Sequence, residues 1–600
     1  MMKSNTGDVD CELTQNATSR PEDTPKTLYS PSGSKEMVIV ATSKPPTIIA
    51  VQQASSSSSS SSSTGVNKMD LEKQTATTEE DDDETPEEPY IKLSFKRRLI
   101  VFVGLFLAML LAAMDQTIVA VVLSNIGDQF NARSTASWIA TSYLVTVTAV
   151  QPLYGKLSSI FGRLEVLMFA LGIFLIGSAL CGTAQTMIWL IVARAITGIG
   201  GGGVMAMIII ITSDITTIRE RGRYMGTFNL AWTVASVIGP IVGGVFADKV
   251  SWRWCFYINL PIGAVTVVTS LIFLRIPTQR SSWLSKLKRV DFLGSFIVVS
   301  GLVLLLLALS WGGKEYAWNS AVVVALLVVG LVLLVVFVFV EAYIPAEPIV
   351  VMSLFKKRSV SAAFVASLMC GMVMFSLIFY VPIFFSVTQN MSSIDAGLRL
   401  LPFQAPTALF ALVAGQIMAY YNYYRTLAAF GFALTTIGNG VLTLLTPETS
   451  VSKQIGYLLI SGIGLGFVLN PLYVMAQVPV KLEQVSIVSA LILFARTIGG
   501  VLGLAISGTI FNNSLAANLR PLAAKYPEYI KTILSSVDDT QLVWGPDFPE
   551  DVREQVIFAY GKALHNFFIF TIPVAGLGFL AVLCAKGAPN HKSRSKNQSS

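Results

Sequence analysis

The stretch LIVFVGLFLAMLLAAMDQTIVAV, residues 99–121, is long and apolar enough to cross the hydrocarbon core of a bilayer as a single helix. It also carries one carboxylate, Asp115, about six residues before its outer end. A carboxylate at that depth costs several kcal/mol unless it is paired, hydrated or protonated. The stretch therefore predicts a membrane protein in which Asp115 has a functional role.

Thirteen further apolar stretches follow this one, which predicts an all-α membrane protein with fourteen transmembrane helices. Apolar residues make up 53% of the chain and charged residues 13%, whereas soluble proteins carry about 25% charged residues. The predicted spans cover residues 99–121, 135–155, 164–183, 187–212, 223–246, 255–274, 290–311, 320–341, 361–386, 396–418, 426–446, 455–478, 486–510 and 564–586.

The basic residues predict the orientation of these spans. Lysine and arginine cluster before the first span and after the second, fourth, sixth and eighth, and they recur near the carboxyl terminus. With an even number of spans all of these clusters lie on one side, which predicts that both termini are cytoplasmic. The net charge of +7 is explained by this bias, so we do not expect nucleic-acid binding.

Three segments outside the spans have a different composition. Residues 1–95 contain a nine-serine run and an acidic cluster without a long apolar block, which predicts a disordered cytoplasmic amino-terminal tail. Residues 511–563 separate the last two spans and are expected to form a long outer loop. Residues 587–600 are expected to form a short cytoplasmic tail.

Arg194 is a second charged residue that the predicted spans place inside the membrane. Asp115 and Arg194 lie at matched depth, each roughly 10 Å below the outer surface at 1.5 Å per residue. An ion pair between them would offset the desolvation cost of both charges. The pair is either a proton-coupling switch that opens when Asp115 is protonated or a fixed structural bridge. We favour the switch, because intramembrane charge usually has a function.

Other kinds of chemistry are not indicated. The chain has no P-loop motif, and its glycine-rich run at residues 198–203 lies inside an apolar span, not in a strand–turn–helix unit. Five scattered cysteines without a CxxC pair and two histidines give no metal-site pattern. No nucleophile–base pattern stands out. We therefore expect no enzymatic activity, no cofactor and no metal.

Five segments resemble motifs of the major facilitator superfamily, and more narrowly of its fourteen-spanner drug:proton antiporter branch in fungi. In chain order they are MDQTIVAVVLSNIG (114–127), GKLSSIFGR (155–163), RAITGIGGGG (194–203), IGPIVGG (238–244) and WRWCFYINLPIG (252–263). Each match is weak alone, but their order and spacing make the resemblance specific over residues 95–586.

The resemblance implies a fold, an activity and a set of site residues. The fold has two six-helix bundles, at 96–274 and 346–586, joined by a linker at 275–345 that contains two additional central helices. The activity is proton-driven export of amphiphilic compounds. The implied site residues are Asp115 and Arg194 for proton coupling, Gly155, Ser159, Gly162 and Arg163 for gating, and Gly239, Pro240, Gly243 and Gly244 as the antiporter motif.

Two positions depart from the family pattern. Ser159 stands where the family usually has an aspartate that helps to lock the inner gate, and Ser124 stands where it usually has a proline. The first change is expected either to loosen the outward-facing state or to be compensated by a neighbour such as Glu165.

Polar and aromatic side chains inside the spans are candidates for the walls of a substrate cavity. An apolar, aromatic cavity with few polar groups suits bulky amphiphiles, although any single such residue more often contacts lipid or another helix. Arg496 is also deep, and its partner cannot be identified from the sequence. The candidates are Gln151, Asn229, Gln404, Asn470 and Gln477, with Trp232, Phe375, Phe379, Tyr380, Phe384 and Phe403 as aromatic walls.

The preferred interpretation is a monomeric plasma-membrane exporter whose partners are a small-molecule substrate, protons and the lipid bilayer. One alternative is a carrier of siderophore-bound iron or a vacuolar importer of basic amino acids. Another is a membrane sensor that does not transport. Asp115 is the clear deep carboxylate among the early spans, which disfavours a basic cargo.

Overall fold

A computed structural model describes residues 94–132, 135–274, 282–313, 315–345, 347–421, 423–535, 543–545 and 549–586. Fourteen long helices lie at the positions of the predicted spans. They are α1 (Phe95–Gln129), α2 (Ser137–Phe161), α3 (Arg163–Gly182), α4 (Met187–Ile215), α5 (Ile218–Lys249), α6 (Asn259–Phe273), α7 (Phe292–Trp311), α8 (Ala321–Tyr343), α9 (Arg358–Gln389), α10 (Leu401–Tyr421), α11 (Tyr424–Leu442), α12 (Val451–Gln477), α13 (Val485–Lys525) and α14 (Glu550–Leu583). The predicted amino-terminal tail and carboxyl-terminal tail lie outside the described residues, apart from Ser94 and Phe95.

Within the described residues, twelve helices are long and apolar enough to cross a membrane. Helices α2 and α11 are long enough but are not among these twelve, because no stretch of either is apolar enough. The all-helical membrane fold is therefore confirmed, and the number of fourteen spans stays a prediction.

Close helix packing in the first half depends on small residues. A side chain at Gly200 would meet the backbone of Phe174, and one at Gly177 would meet the backbone of Thr197, so α3 and α4 approach without intervening side chains. Helix α1 packs against α5 and α6, and α2 packs against α4. Since lipid tails compete equally for apolar surface, such close van der Waals contact is what holds membrane helices together.

The second half uses the same kind of packing. Gly499 faces the backbone of Leu368 between α13 and α9, and Gly438 faces the backbone of Ser461 between α11 and α12. Helix α14 packs against α9, α11 and α13. The two halves meet where α2 contacts α13 and α5 contacts α10.

Helices α7 and α8 form a hairpin beside the two halves. Gly301 and Gly330 face each other across this hairpin and let the two helices approach closely. Helix α7 also packs against α2 and α13, whereas α8 leaves most of its apolar surface exposed. An apolar surface of this kind is suited to contact with lipid.

The segment predicted as a loop over residues 511–563 is helical in large part, which corrects that prediction. Helix α13 continues to Lys525, a short helix covers Ile530–Ser535, and α14 begins at Glu550. The extension of α13 buries Phe511, Leu515, Leu519 and Leu522 at intervals of three or four residues. This amphipathic pattern supports a helix even though the mean hydropathy is too low for a membrane span.

Candidate functional site

Asp115 and Arg194 form a fully buried ion pair. The Nη1 atom of Arg194 on α4 donates to Oδ2 of Asp115 on α1 at 2.6 Å. The side chain of Asp115 is 0% exposed and that of Arg194 is 1% exposed. The structure thus brings together the two residues that matched depth had predicted to meet. In this low-dielectric setting each charge compensates the burial of the other.

Helix α2 supplies two further contacts to the guanidinium of Arg194. Its Nε atom donates to the backbone carbonyl of Ile139 at 3.1 Å. The ring of Tyr143 lies 4.2 Å from the guanidinium carbon, which is a cation–π distance. Arg194 therefore links α1, α2 and α4, and a change in its position would be felt by all three helices.

The second carboxylate oxygen of Asp115 is held by α6. Asn259 at the start of α6 donates from Nδ2 to Oδ1 of Asp115 at 2.9 Å and also to the hydroxyl of Ser178 at 2.9 Å. The Ser178 hydroxyl in turn donates to the carbonyl of Phe256 at 2.9 Å. Both oxygens of Asp115 accordingly accept hydrogen bonds, as expected for a buried ionised carboxylate.

The predicted antiporter motif packs against α1 beside this ion pair. A side chain at Gly239 would meet the Thr117 hydroxyl, and one at Gly243 would meet Ile118. The Thr117 hydroxyl donates to the carbonyl of Ala235 at 3.1 Å, so α1 and α5 are also joined by a hydrogen bond. Pro240 lies within the continuous helix α5, and Gly244 is buried.

The predicted gating motif lies at the end of α2 and the start of α3. Gly162 has φ 113°, a conformation that a residue with a side chain rarely adopts, and this turn joins the two helices. Arg163 donates from Nε to Oδ2 of Asp214 at 2.7 Å and from Nη1 to the Ser158 hydroxyl at 3.0 Å. The exposed Ser159 hydroxyl donates to the carbonyl of Lys156 at 2.7 Å.

Gly155 of the same motif lies where the two halves touch. A Cβ atom at this position would lie 2.9 Å from the Cβ of Ala490 and 3.2 Å from the carbonyl oxygen of Ser486. Helices α2 and α13 are therefore in direct contact at this level. We call this end of the molecule the inner end, because its basic residues predict that it faces the cytoplasm.

Polar groups also join the halves at the inner end. Arg221 of α5 donates to Oε1 of Gln477 at 3.1 Å, and Nε2 of Gln477 reaches the hydroxyls of Ser213 and Ser489 at 3.0 and 2.7 Å. Asn470 donates to the carbonyl of Gly222 at 3.2 Å. The inner end is thus closed by contacts between the two halves.

Glu347, in the segment between α8 and α9, forms an ionic cluster at the inner end. It accepts from Lys156 at 2.9 Å and from Nε of Arg289 at 2.6 Å. The hydrogen bond from Arg289 is the main cause that holds the pKa of the Glu347 carboxyl below its usual value. The cluster thus links three segments. Lys156 belongs to the gating motif, Arg289 to the connection before α7, and Glu347 to the connection after α8.

A central cavity lies between the two halves, and much of its wall comes from α1, α2 and α5 on one side and α9, α10 and α13 on the other. Most of its wall is apolar, which suits the transport of amphiphiles. Its lining residues are Met109, Gln116, Leu144, Val147, Gln151, Met205, Phe228, Asn229, Trp232, Thr233, Met374, Phe375, Ile378, Phe403, Gln404, Thr407, Ala408, Leu469, Leu493, Arg496, Thr497, Gly500, Val501 and Leu504.

Several predicted cavity residues are part of this lining. Gln151, Asn229, Trp232 and Gln404 lie in the wall. The aromatic candidates Phe375 and Phe403 lie there as well, and so does Arg496.

Other predicted cavity residues lie elsewhere, which corrects the predicted set. Phe379 is 60% exposed on the bundle surface, and the ring of Tyr380 packs 4.8 Å from that of Phe567 inside the second half. Asn470 and Gln477 are used in the inner contacts described above. Phe384 is buried against Phe385. Helical faces decide these positions, and the sequence alone did not show which faces meet.

Sequence reasoning missed Asn259, Asp214 and Arg221, although each is buried and bonded to a residue of the site. Asn259 lies within the quoted motif at 252–263, so its presence there was a usable signal. Asp214 and Arg221 flank the connection between α4 and α5, where charged residues are usually read as solvated. Their burial depends on contacts that only the folded chain reveals.

Comparison with known proteins identifies the family. The family model described as Major Facilitator Superfamily matches residues 105–504. The chain is 34% identical over 487 residues to MFS-type efflux pump MFS1 of Arthroderma benhamiae, covering 80% of this chain and 90% of that relative.

Two further relatives are similar in extent. Efflux pump aflT of Aspergillus parasiticus is 34% identical over 489 residues, covering 81% of this chain and 94% of the relative. The aspyridones efflux protein of Neocamarosporium betae is 33% identical over 473 residues, covering 78% and 83%.

A solved structure supports the fold. The crystal structure of the human organic anion transporter MFSD10 (TETRAN) aligns with a TM-score of 0.54 at 14% identity, covering 82% of this chain and 100% of that one. At this identity the likeness concerns the fold alone. Taken with the family match over residues 105–504, these findings show that the chain belongs to the major facilitator superfamily.

Proposed function

We propose that this chain is a proton-coupled exporter of amphiphilic small molecules. The observation that carries the proposal is the buried ion pair of Asp115 and Arg194, joined by short contacts to helices that also line the central cavity. The relatives from Arthroderma benhamiae and Aspergillus parasiticus are both named efflux pumps, which supports export as the direction.

Protonation of Asp115 is the proposed coupling step. A proton on the carboxylate removes its negative charge and weakens the hydrogen bonds from Arg194 and Asn259, so the buried arginine loses its counter-ion. An uncompensated buried charge is strongly unfavourable, which would drive α1, α4 and α6 toward another arrangement.

The ion pair is connected to the cavity wall through residues adjacent in the chain. Gln116, the residue after Asp115, lies in the cavity wall. Tyr143 stacks on Arg194, and the next residue, Leu144, lies in the wall as well. A shift of the ion pair would therefore move two parts of the lining, and a ligand that prefers one lining geometry would in turn favour one arrangement of the ion pair.

Alternating access requires the inner contacts to separate. These contacts join Gly155 to α13 and Arg221 to Gln477. In the arrangement described here the inner end is closed, so the opposite arrangement would break these contacts and admit substrate from the cytoplasm. The closure is made of small residues and of a few hydrogen bonds between side chains, which is suited to reversible separation.

The experiment is transport by the purified chain in proteoliposomes under an imposed pH gradient, with Asp115→Asn as the test variant. The readout is gradient-driven accumulation of an amphiphilic fluorescent dye. Asp395→Asn is the matched control, because it removes an exposed carboxylate from the short helix Ser393–Leu398 away from the ion pair. We expect Asp115→Asn to lose accumulation and Asp395→Asn to retain it. Full gradient-driven accumulation by Asp115→Asn would remove this carboxylate from the mechanism.

The same proposal includes the organisation and location of the chain. We propose fourteen spans, with six-helix bundles at 96–274 and 346–586 around the linker at 275–345, acting as a monomer in the plasma membrane without enzymatic activity. The packing of α1 against α5 and α6, and of α14 against α9, α11 and α13, supports this division. Glycerol-gradient sedimentation tests the monomeric state, and fluorescence microscopy of a tagged chain tests the location in the plasma membrane.

A further inference from the structure

We infer that the central cavity selects amphiphiles that carry an acidic group, and that Arg496 binds that group. The inference rests on the proposed transport function and narrows its substrate class. The charge in the cavity wall differs from the other charge inside the membrane, which is paired between Asp115 and Arg194. Arg496 is the charged residue in the described cavity lining, and no aspartate or glutamate lies in that lining.

Arg496 has no ionic partner of its own among the described residues. Its guanidinium carbon lies 5.7 Å from the ring centre of Tyr473, which is a weak contact compared with an ion pair. An arginine side chain carries a positive charge in proteins. The cavity wall therefore holds a positive charge that no acidic residue of the described lining neutralises.

A buried glutamine supplies a second, independent observation. Gln151 is 0% exposed and lies in the cavity wall, yet neither its amide nitrogen nor its amide oxygen has a hydrogen-bond partner among the described residues. Buried polar atoms are nearly always paired in folded proteins. A ligand with oxygen acceptors and a donor would satisfy the amide of Gln151 while it occupies the cavity.

The chemistry of these groups defines the ligand. A guanidinium offers a planar fork of N–H donors that matches a carboxylate or an acidic enolate in two-point contact. Trp232, Phe375 and Phe403 supply flat apolar surface in the same wall. A polycyclic or aromatic compound with one ionised oxygen acid fits both features, whereas a lipophilic cation would place like charges together in a low-dielectric space.

The test uses two xanthene dyes of similar shape and opposite charge, fluorescein and rhodamine 6G. Binding to the purified chain in nanodiscs is measured by dye anisotropy, with empty nanodiscs as background. We expect the wild-type chain to prefer fluorescein. Arg496→Gln should weaken fluorescein binding by about tenfold or more, the loss of one charge-assisted contact, without weakening the binding of rhodamine 6G.

Two variants control for charge and folding. Arg496→Lys keeps the positive charge and should retain part of the preference. Arg425→Gln removes a positive charge at the inner end of α11, where Arg425 donates to the carbonyl of Leu583, and should leave the preference unchanged. Thermal unfolding of each variant shows whether it is folded.

A wild-type chain that binds the two dyes equally, binds neither, or prefers rhodamine 6G overturns the inference. So does an Arg496→Gln variant that is folded and keeps the wild-type preference. Transport separates this result from the proposed function. Charge-selective binding without proton-driven export would reject the exporter and keep the anion site. Proton-driven export without charge selection would do the reverse.

Discussion

Arg194 and Arg496 are the same residue type at membrane depth, and the protein treats them in opposite ways. Arg194 is 1% exposed, and it has a carboxylate at 2.6 Å, a backbone carbonyl at 3.1 Å and a tyrosine ring at 4.2 Å. Arg496 lies in the cavity wall, and its contact among the described residues is the Tyr473 ring at 5.7 Å. The charge of Arg194 is paired within the first half, whereas the charge of Arg496 is open to a ligand in the cavity.

This difference separates two tasks that a coupled transporter has to keep apart. A paired charge responds to a proton, because protonation of its partner changes its energy by several kcal/mol. An unpaired charge in a cavity responds to a ligand, because the ligand is its missing partner. Under the two proposals made above, the two halves of this molecule divide proton sensing and ligand sensing between α4 and α13.

The largest expected effect concerns stability. We expect Asp115→Leu or Arg194→Leu alone to destabilise the protein by about 3–5 kcal/mol, because each leaves one buried charge without a partner. Arg496→Leu should change stability by less than about 1 kcal/mol, because its charge has no ionic partner among the described residues. Thermal unfolding in detergent measures all three.

The double variant Asp115→Leu/Arg194→Leu is the control for this prediction. Removing both charges should restore most of the lost stability, since neither leaves the other buried alone. If Arg496→Leu destabilises the protein as much as Arg194→Leu, the contrast between the two arginines is broken.

The next effect concerns the second hydrogen bond to Asp115. Asn259→Leu removes the donor to Oδ1 and should cost about 1–3 kcal/mol, as for other hydrogen bonds to buried charged groups. Ser178→Ala is the matched control, because it removes the other partner of Asn259 and leaves the Asp115 contact in place. Its shift in unfolding temperature should be smaller, and an equal shift would show that Asp115 does not depend on α6.

The smallest effect concerns the solvent-accessible ion pairs of Glu347. They lie outside the membrane spans and serve as a reference for the buried pair of Asp115 and Arg194. The Glu347 side chain is 34% exposed, so Glu347→Gln should cost less than about 1 kcal/mol at low salt. The loss should disappear near 1 M salt, where exposed charges are screened within a few ångströms, whereas the loss from Arg194→Leu should persist.

Acid should act on Glu347 in a defined direction. Because the pKa of its carboxyl is held below the usual value, its stabilising contribution is complete above the usual glutamate pKa of about 4.3 and is lost as pH falls through the lower folded value. Unfolding curves of wild type and Glu347→Gln at pH 7 and below pH 4 measure this. A difference that grows toward acid pH would contradict the assignment.

The sequence predicted the helical segments well because a membrane imposes a length and a polarity on each of them. It failed at 511–563, where α13 and α14 extend as amphipathic helices beyond their apolar parts. There the stabilising contacts of Phe511 and Leu515 come from neighbouring helices, and a hydropathy criterion does not register them.

The candidate site was predictable to the extent that charge in a membrane is rare. Asp115 and Arg194 stand out in apolar spans, and matched depth was enough to suggest their pairing. Asn259 and Asp214 do not stand out, because polar residues near helix ends are common. The cavity wall was predictable only in part, since residues next to each other on one helix, such as Ile378 and Phe379, face different surroundings.

Helix α13 runs for 41 residues without interruption, from its contact with Gly155 at the inner end, past Arg496, to Lys525. From Arg496 to Lys525 this helix is roughly 40 Å long, so a tilt of about 10° would displace its far end by about 7 Å. Binding of a ligand at Arg496 would thereby displace the end of α13 that lies outside the bilayer. An antibody fragment that binds the far end of α13 and restricts its movement would therefore slow transport without entering the membrane.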